Sequence, residues 1–465
     1  MEFSTRSYGG WGRVEFNKSK RAGDEPVTAT CRRYRTDRVV TAPNDAGTDP
    51  LVRAREALRH GDVQAADLLV DAVLARAPMV ADALYLRGVI ANRRRDHGAA
   101  IAALREAIAI RPGMALAWLA LGNAYSRLEQ FGAAAEAYRE VLTREPAWAD
   151  AHFNLGLAHK RMGDRVAAAR ALHAAWRHDP MMFEAAKQCV ATIADCVRHG
   201  EACAAPAPIR DEPDGLSVTI VLCSIDDAKH DRVVALYRRL FADVAHEIVS
   251  IRNARSLAEA YNAAIANSTA DIVLLSHDDI DVLAPDFAVR LSRRLRDVDA
   301  VGVVGCTRMD GPAVGWSGHP HLRGWITHHA PADSTWSVDL LDPRGESSDI
   351  AILDGVLLAA RRAVFVAVPF DAVTFDGFHL YDVDWSYRAS RAGFRLGVAG
   401  ELLVVHASRG AYDASWQRYA DRFCAKHGVG STPPATSSFF GAVLDSADQV
   451  RAFYAFLVSL GYRPR

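Results

Sequence analysis

Cysteine is scarce in this chain: seven residues in 465, none forming a CxxC pair and none spaced with histidine as zinc ligands are. A disulfide scaffold and a structural zinc site are therefore disfavoured, and a reducing, cytoplasmic setting is expected. Net charge is also nearly absent, with 55 Lys and Arg against 56 Asp and Glu for a formal −1. Without a global field of either sign, nucleic acid is not an expected partner. No apolar run at the N-terminus suits a signal peptide, and none elsewhere is long enough to span a bilayer. Membrane contact, where it occurs, is expected to be peripheral at the inner face. Cys189, Cys196 and Cys203 recur every seven residues, which small buried thiols on one helix face explain without any chemistry.

What the chain does have is length for two to four domains and a repeat. Residues 1–46 are rich in Arg, Lys, Gly, Thr and Asp without hydrophobic periodicity and read as a solvated leader. Beyond them, Pro78, Pro112, Pro146 and Pro180 are spaced by 34, as are Gly88, Gly122 and Gly156, and Ala100, Ala134 and Ala168. This period, with Tyr85, Trp118 and Phe153 shortly before the glycines and Ala-rich second helices, resembles the tetratricopeptide repeat. Gly and Ala permit close helix approach, and proline falls where a repeat ends. Counting back to Ala66 adds a degenerate first repeat, so a helical solenoid of about four repeats is expected over residues 47–200, with 183–198 as a capping helix. Residues 201–215, carrying Pro206, Pro208 and Pro213, read as a linker.

From Leu216 the pattern alternates between strands and helices: strand 218–223, helix 231–241, strand 247–251, helix 257–266 and strand 271–275. This βαβαβ order implies a doubly wound α/β sheet with a ligand cleft at the carboxyl ends of its strands. The third strand runs into Asp278, Asp279 and Asp281, carboxylates that repel one another unless a cation joins them. Mg²⁺ or Mn²⁺ would suit such oxygen donors and would neutralise a diphosphate leaving group. A solvated acidic turn is the alternative.

These residues resemble family 2 glycosyltransferases of the GT-A fold over about 216–428, and more narrowly a small bacterial branch marked by a histidine and aspartate after the third strand. Ser256, Ala260, Tyr261, Asn262 and Ala263 are similar to that branch's segment before the strand, and His277, Asp279 and Ile280 to its signature. The resemblance implies a nucleotide-diphosphate sugar donor bound at Ser224, Asn262, Asp278, Asp279, Asp354 and Gly355. It also implies a divalent cation (Mn²⁺ or Mg²⁺) on Asp279 and Asp281, joined by His406 at a later strand end. Asp354, Gly355 and the apolar run ending at Arg361 and Arg362 are similar to the family's segment near the acceptor; a strand closing in solvated arginines is the other reading. The stretch Tyr381, Asp382, Val383, Asp384, Trp385 resembles the family's Glu-Asp-x-Asp motif and assigns the catalytic base to Asp382, with Tyr381 standing where Glu is usual. Capping the helix that follows is the alternative for both Asp382 and Asp384, and Asp384 fits it better.

Residues 311–349, with Gly311, Gly315, Gly318, Trp316, Trp325, Trp336 and four histidines (His319, His321, His328, His329), suggest a loop over a sugar site. An aspartate after the second strand, which many family members direct at the nucleobase, is missing: the chain reads Ile251, Arg252, Asn253. Residues 431–465 form a tail with a helix near 447–460. The function implied is transfer of a sugar to an acceptor hydroxyl, with inversion, while the repeat groove recruits a protein or glycan acceptor. A non-catalytic repeat adaptor carrying a degenerate sugar-nucleotide domain is the rival. A nucleotidyltransferase is disfavoured because Ser224, Ile225, Asp226, Asp227 is not a Gly-rich phosphate loop.

Overall fold

The computed structural model describes residues 49–201, 215–343, 345, 349–408, 412–430 and 440–462. The leader expected over 1–46 and nearly all of the 201–215 linker lie outside the described residues. The chain divides into two compact units, one ending at Gln130 and one beginning at Phe131.

The first unit contains α1 (Pro50–Arg59), α2 (Val63–Arg76), α3 (Ala81–Arg93), α4 (His97–Ile110) and α5 (Ala115–Arg127). The second opens with α6 (Phe131–Arg144), α7 (Ala149–Met162), α8 (Arg165–His178) and α9 (Phe183–Arg198). The 34-residue register has a direct physical basis. A Cβ on Gly88 would lie 2.4 Å from Leu104 Cγ, and one on Gly156 would lie 2.7 Å from Leu172 Cγ, so only glycine lets the paired helices close. Ala100, Ala134 and Ala168 are fully buried. Asp62, Asp96 and Asp164 each cap a second helix, accepting from the N–H of Ala65, Ala99 and Ala167 at 2.9, 3.0 and 3.0 Å.

After these helices the second unit builds an α/β domain. Its first part runs β1 (Val218–Cys223), α10 (Asp227–Leu240), β2 (His246–Ile251), α11 (Leu257–Asn267), β3 (Ile272–Ser276), β4 (Ile280–Val282), α12 (Phe287–Asp297), β5 (Ala300–Gly302) and β6 (Val304–Cys306). It continues with β7 (Leu322–His328), β8 (Trp336–Leu340), β9 (Ile352–Leu353), β10 (Leu357–Arg361), α13 (Arg362–Ala367), α14 (Tyr381–Arg391), β11 (Leu396–Val398), β12 (Val404–His406), α15 (Ala414–His427), β13 (Phe440–Leu444) and α16 (Ala447–Ser459).

The main sheet has six strands in the order β11-β5-β10-β3-β1-β2. It is mixed rather than wholly parallel, because β10 runs antiparallel to both β3 and β5. Leu222 pairs with Ser276, and Ser276 with Leu357. The carboxyl ends of β1 and β3 therefore meet the segment that enters β10, and this junction carries the site.

A second sheet has the order β13-β8-β7-β12-β4, with β6 and β9 attached. It corrects the expectation of a loop across 311–349, since much of that stretch is the antiparallel β7–β8 pair. Trp325 is buried in this sheet, with its indole N–H donating to the Gly400 carbonyl at 2.5 Å and its ring stacked on Tyr454 of α16. Its aromatic surface is therefore spent on the core. The segment 440–462 is likewise no loose tail: β13 extends the second sheet beside β8, and α16 buries Phe453, Phe456 and Leu457.

Candidate active site

Three polar side chains converge just past β3. The antiparallel pairing of β12 with β4 sets His406 opposite Ile280, and the Ala407 N–H donates to the Asp279 carbonyl at 2.9 Å. This brings His406 Nε2 to 3.2 Å from Asp279 Oδ1 and to 3.3 Å from His277 Nδ1, with His277 Nδ1 3.8 Å from the same carboxylate oxygen. The Ser408 hydroxyl lies 3.1 Å from His406 Nε2 as well. One ring nitrogen makes one good hydrogen bond, so three partners crowding it form a poor hydrogen-bond network. They form a reasonable cation cradle, with one ligand atom each from His277, Asp279 and His406 all within 4.8 Å.

The electrostatics agree with that reading. Burial and the adjacent His406 ring hold His277 below the ordinary imidazole range, which favours the neutral, ligating form. Burial pushes the Asp279 carboxyl up, but the His406 hydrogen bond and the charges of both imidazoles outweigh it and keep the group well below the usual carboxylate range. Two imidazole nitrogens and one ionised carboxylate thus fit a divalent ion.

The structure does not bring Asp281 to this cluster. It lies on β4 between buried Ile280 and Val282, is itself exposed, and accepts the Val282 N–H at 2.7 Å. His277, noted in the sequence only as part of the family signature, stands at the cradle instead. Spacing could not have chosen between them, because His277 and Asp281 each stand two residues from Asp279; the choice is made by His406, which β12 brings beside His277.

Asp382 stands in the first turn of α14, beyond Leu380, whose φ of 63° bends the chain into the helix. Gly355 lies against it: a Cβ there would sit 2.6 Å from Asp382 Oδ2. The missing side chain lets the Gly355 N–H donate to the carboxylate, together with the N–H of Val383. Burial, reinforced by the negative charge of Asp354, still pushes the Asp382 carboxyl up to about 7. Asp354 also acts on His277, and the backbone N–H of His277 donates to the Val356 carbonyl at 3.1 Å. The cradle and Asp382 therefore border the same acidic junction.

Other expected residues are otherwise engaged. Ser224 donates to Asp278 Oδ2 at 2.6 Å, tying the end of β1 to the end of β3. Asn262 spends its whole side-chain amide on Phe370, donating to its carbonyl at 2.8 Å and accepting its N–H at 2.9 Å. Asp384 is fully buried among Lys426 Nζ at 2.6 Å, His427 Nε2 at 2.8 Å and Arg388 Nε at 2.8 Å, where it ties α14 to α15. Tyr381 turns inward, edge-on to Tyr261 at 5.5 Å, so the position where Glu is usual contributes packing.

Comparison with known proteins gives the domain its family. Residues 219–427 match the model of a glycosyltransferase-like family. They form a glycosyltransferase family 2-like domain. Residues 51–115 and 119–180 match a tetratricopeptide-repeat model, so the glycosyltransferase domain follows a repeat region associated with protein interaction. No curated protein matches the chain. Among solved structures, MamA is 23% identical with a TM-score of 0.28, covering 30% of this chain and 80% of its own. MamA from Desulfovibrio magneticus RS-1 is 21% identical at a TM-score of 0.30, covering 34% and 89%. Pseudomonas aeruginosa pilF is 19% identical at 0.30, covering 33% and 68%. Agreement this low carries no argument about partners. Among the described residues no helix is long and apolar enough to cross a membrane.

Proposed function

We propose that this domain transfers a sugar from a nucleotide-diphosphate donor to an acceptor hydroxyl, with inversion and with a divalent cation. The observation that carries the proposal is the segment entering β10, where Gly355 lies against Asp382 and the Val356 carbonyl accepts the backbone N–H of His277 at 3.1 Å. A base with an elevated pKa facing a cation cradle suits displacement at an anomeric carbon. The acceptor oxygen forms the new bond to that carbon as its proton passes to Asp382. The bond to the diphosphate oxygen breaks, and its electron pair leaves with the nucleoside diphosphate. Direct displacement inverts the centre.

The site residues committed to this reading are Asp382 as base, His277, Asp279 and His406 as the cation cradle, and Asp278, Asp354 and Gly355 lining the donor side. A bound cation would supply positive charge against the leaving diphosphate. The two nitrogen donors favour Mn²⁺ over Mg²⁺. Ser224 and Asn262 shape the cleft through Asp278 and Phe370. The repeats present a protein or glycan acceptor, and a cytoplasmic setting supplies the donor.

The test is turnover of nucleotide sugars with and without Mn²⁺. Asp382→Asn should lower turnover by about 10²- to 10⁴-fold while leaving nucleoside-diphosphate binding in place. Asp279→Ala should abolish metal-dependent binding. Equal background rates in wild type and both variants would favour the adaptor reading.

A further inference from the structure

A cavity of about 630 Å³ opens in the second unit between α8 and the end of α16, on residues that the glycosyltransferase reading leaves unused. Arg170, His173, Arg177 and His178 line it from one face of α8, opposite Ser459 and Leu460, and no carboxylate is among its described lining residues. The spacing explains the shared face, since residues three, four and seven apart stack along a helix. Both arginines are exposed. Arg165, at the start of the same helix, pairs with Glu201 at 2.6 Å, and Arg198 of α9 pairs with Asp195 at 2.6 Å. Arg170 and Arg177 make no such pair among the described residues. Arg177 is held beside the chain turn at Gly461, where a Cβ would lie 3.3 Å from its guanidinium.

His173 makes this more than a basic surface. It is 2% exposed, and its Nε2 donates to the Pro343 carbonyl at 2.7 Å. Burial lowers its pKa to about 4, so the ring is neutral, and with Nε2 carrying the proton its Nδ1 is an acceptor. Nδ1 has no partner among the described residues. The cavity is therefore lined by two guanidinium groups that suit an anion and by a neutral imidazole that suits a hydroxyl, within the size range of small-molecule sites.

We propose that this cavity is a second ligand site, selective for a phosphate ester that also carries hydroxyl groups, the chemical class of a sugar phosphate. The phosphate meets Arg170 and Arg177, and a ligand hydroxyl donates to His173.

Calorimetric titration of the full chain with glucose 6-phosphate tests this, with inorganic phosphate and glucose as separate arms. Glucose 6-phosphate should bind saturably and at least tenfold more tightly than either. The double variant Arg170→Ser, Arg177→Ser should weaken it tenfold or more, as loss of charge-assisted hydrogen bonds does. Ser459→Tyr, which obstructs the cavity while keeping both arginines, should weaken it likewise. Asp279→Ala should leave it unchanged. Binding no tighter than that of inorganic phosphate, or insensitive to both cavity variants, would overturn the proposal. Loss in Asp279→Ala alone would move the ligand to the transferase cleft and also overturn it, without touching the transferase reading.

Discussion

At the residue scale, the transferase reading turns on the environment of one carboxylate. Burial and Asp354 raise Asp382 to about 7, so the base is ionised only above that range. With donor saturating, kcat/KM for the acceptor should climb as pH rises through about 7 and level off above it; a rate flat from pH 5 to 8 would remove Asp382 from the proton transfer. The same shift has a stability sign. A carboxyl whose folded pKa exceeds its unfolded value of 3.8 favours the folded state most below that value, and this contribution is lost as pH rises through about 7. Asp382→Asn cannot ionise, so its melting temperature should exceed the wild type's at pH 8, with a smaller gap at pH 5. Asp384 behaves oppositely. Burial pushes it up, but hydrogen bonds from His427 and Lys426 and the charge of Arg388 hold it low, so its contribution is present above the usual carboxylate range and lost in acid. Asp384→Asn leaves Lys426 and Arg388 facing a neutral amide and should destabilise the second unit by about 3 kcal/mol in urea unfolding, whereas an unchanged midpoint would mean that the network contributes nothing. Sequence pattern separated these two carboxylates only in part. Helix-start position suits both, and what divides them is which lies under Lys426 and His427 and which against Gly355. That depends on contacts between elements distant in the chain.

At the scale of the element, the repeat was legible because each unit solves the same packing problem at the same interval, as Gly88 with Leu104 and Gly156 with Leu172 illustrate. A second series went unread because it mixes residue types. Gly61, Arg95, Glu129 and Gly163 all take positive φ, at 83°, 64°, 57° and 83°, immediately before a cap position. The caps themselves are Asp62, Asp96 and Asp164, while Gln130 stands at the corresponding place before α6. Glutamine is a weak cap, and a left-handed Glu is strained where glycine is not. Gln130→Asp should therefore stabilise α6 by roughly 0.5–1 kcal/mol, and Glu129→Gly should add a few tenths, both read from thermal unfolding. A lowered midpoint for Gln130→Asp would show that α6 does not begin in the same register as α2, α4 and α8. The succession of β1 to β3 along the chain was legible in the same way, because their apolar runs lie between helical periods. The reversal of β10 was not, because a buried strand reads alike in both directions.

For the second unit as a whole, the decisive element is one that the sequence presents as a tail. Phe440, almost fully buried, packs its ring 5.2 Å from Trp176 of α8, 5.9 Å from Phe183 of α9 and 4.8 Å from His319. Arg198, at the end of α9, donates to the Val443 carbonyl at 2.9 Å, and His173 of α8 reaches Pro343 beyond β8. The last repeat helices and the second sheet thus share one core, formed across residues more than 200 apart in the chain, which no local pattern encodes. Such a core should unfold as a unit. Phe440→Ala removes the ring that joins α8, α9 and β13 and should cost about 3 kcal/mol. In hydrogen exchange, the amides of α9 and those of β7 and β8 should lose protection together and by similar factors. If α9 kept its wild-type protection while the strands opened, the repeats and the transferase domain would be separate folding units joined only by chain, and the second unit could not hold its last helices at a fixed distance from Asp382.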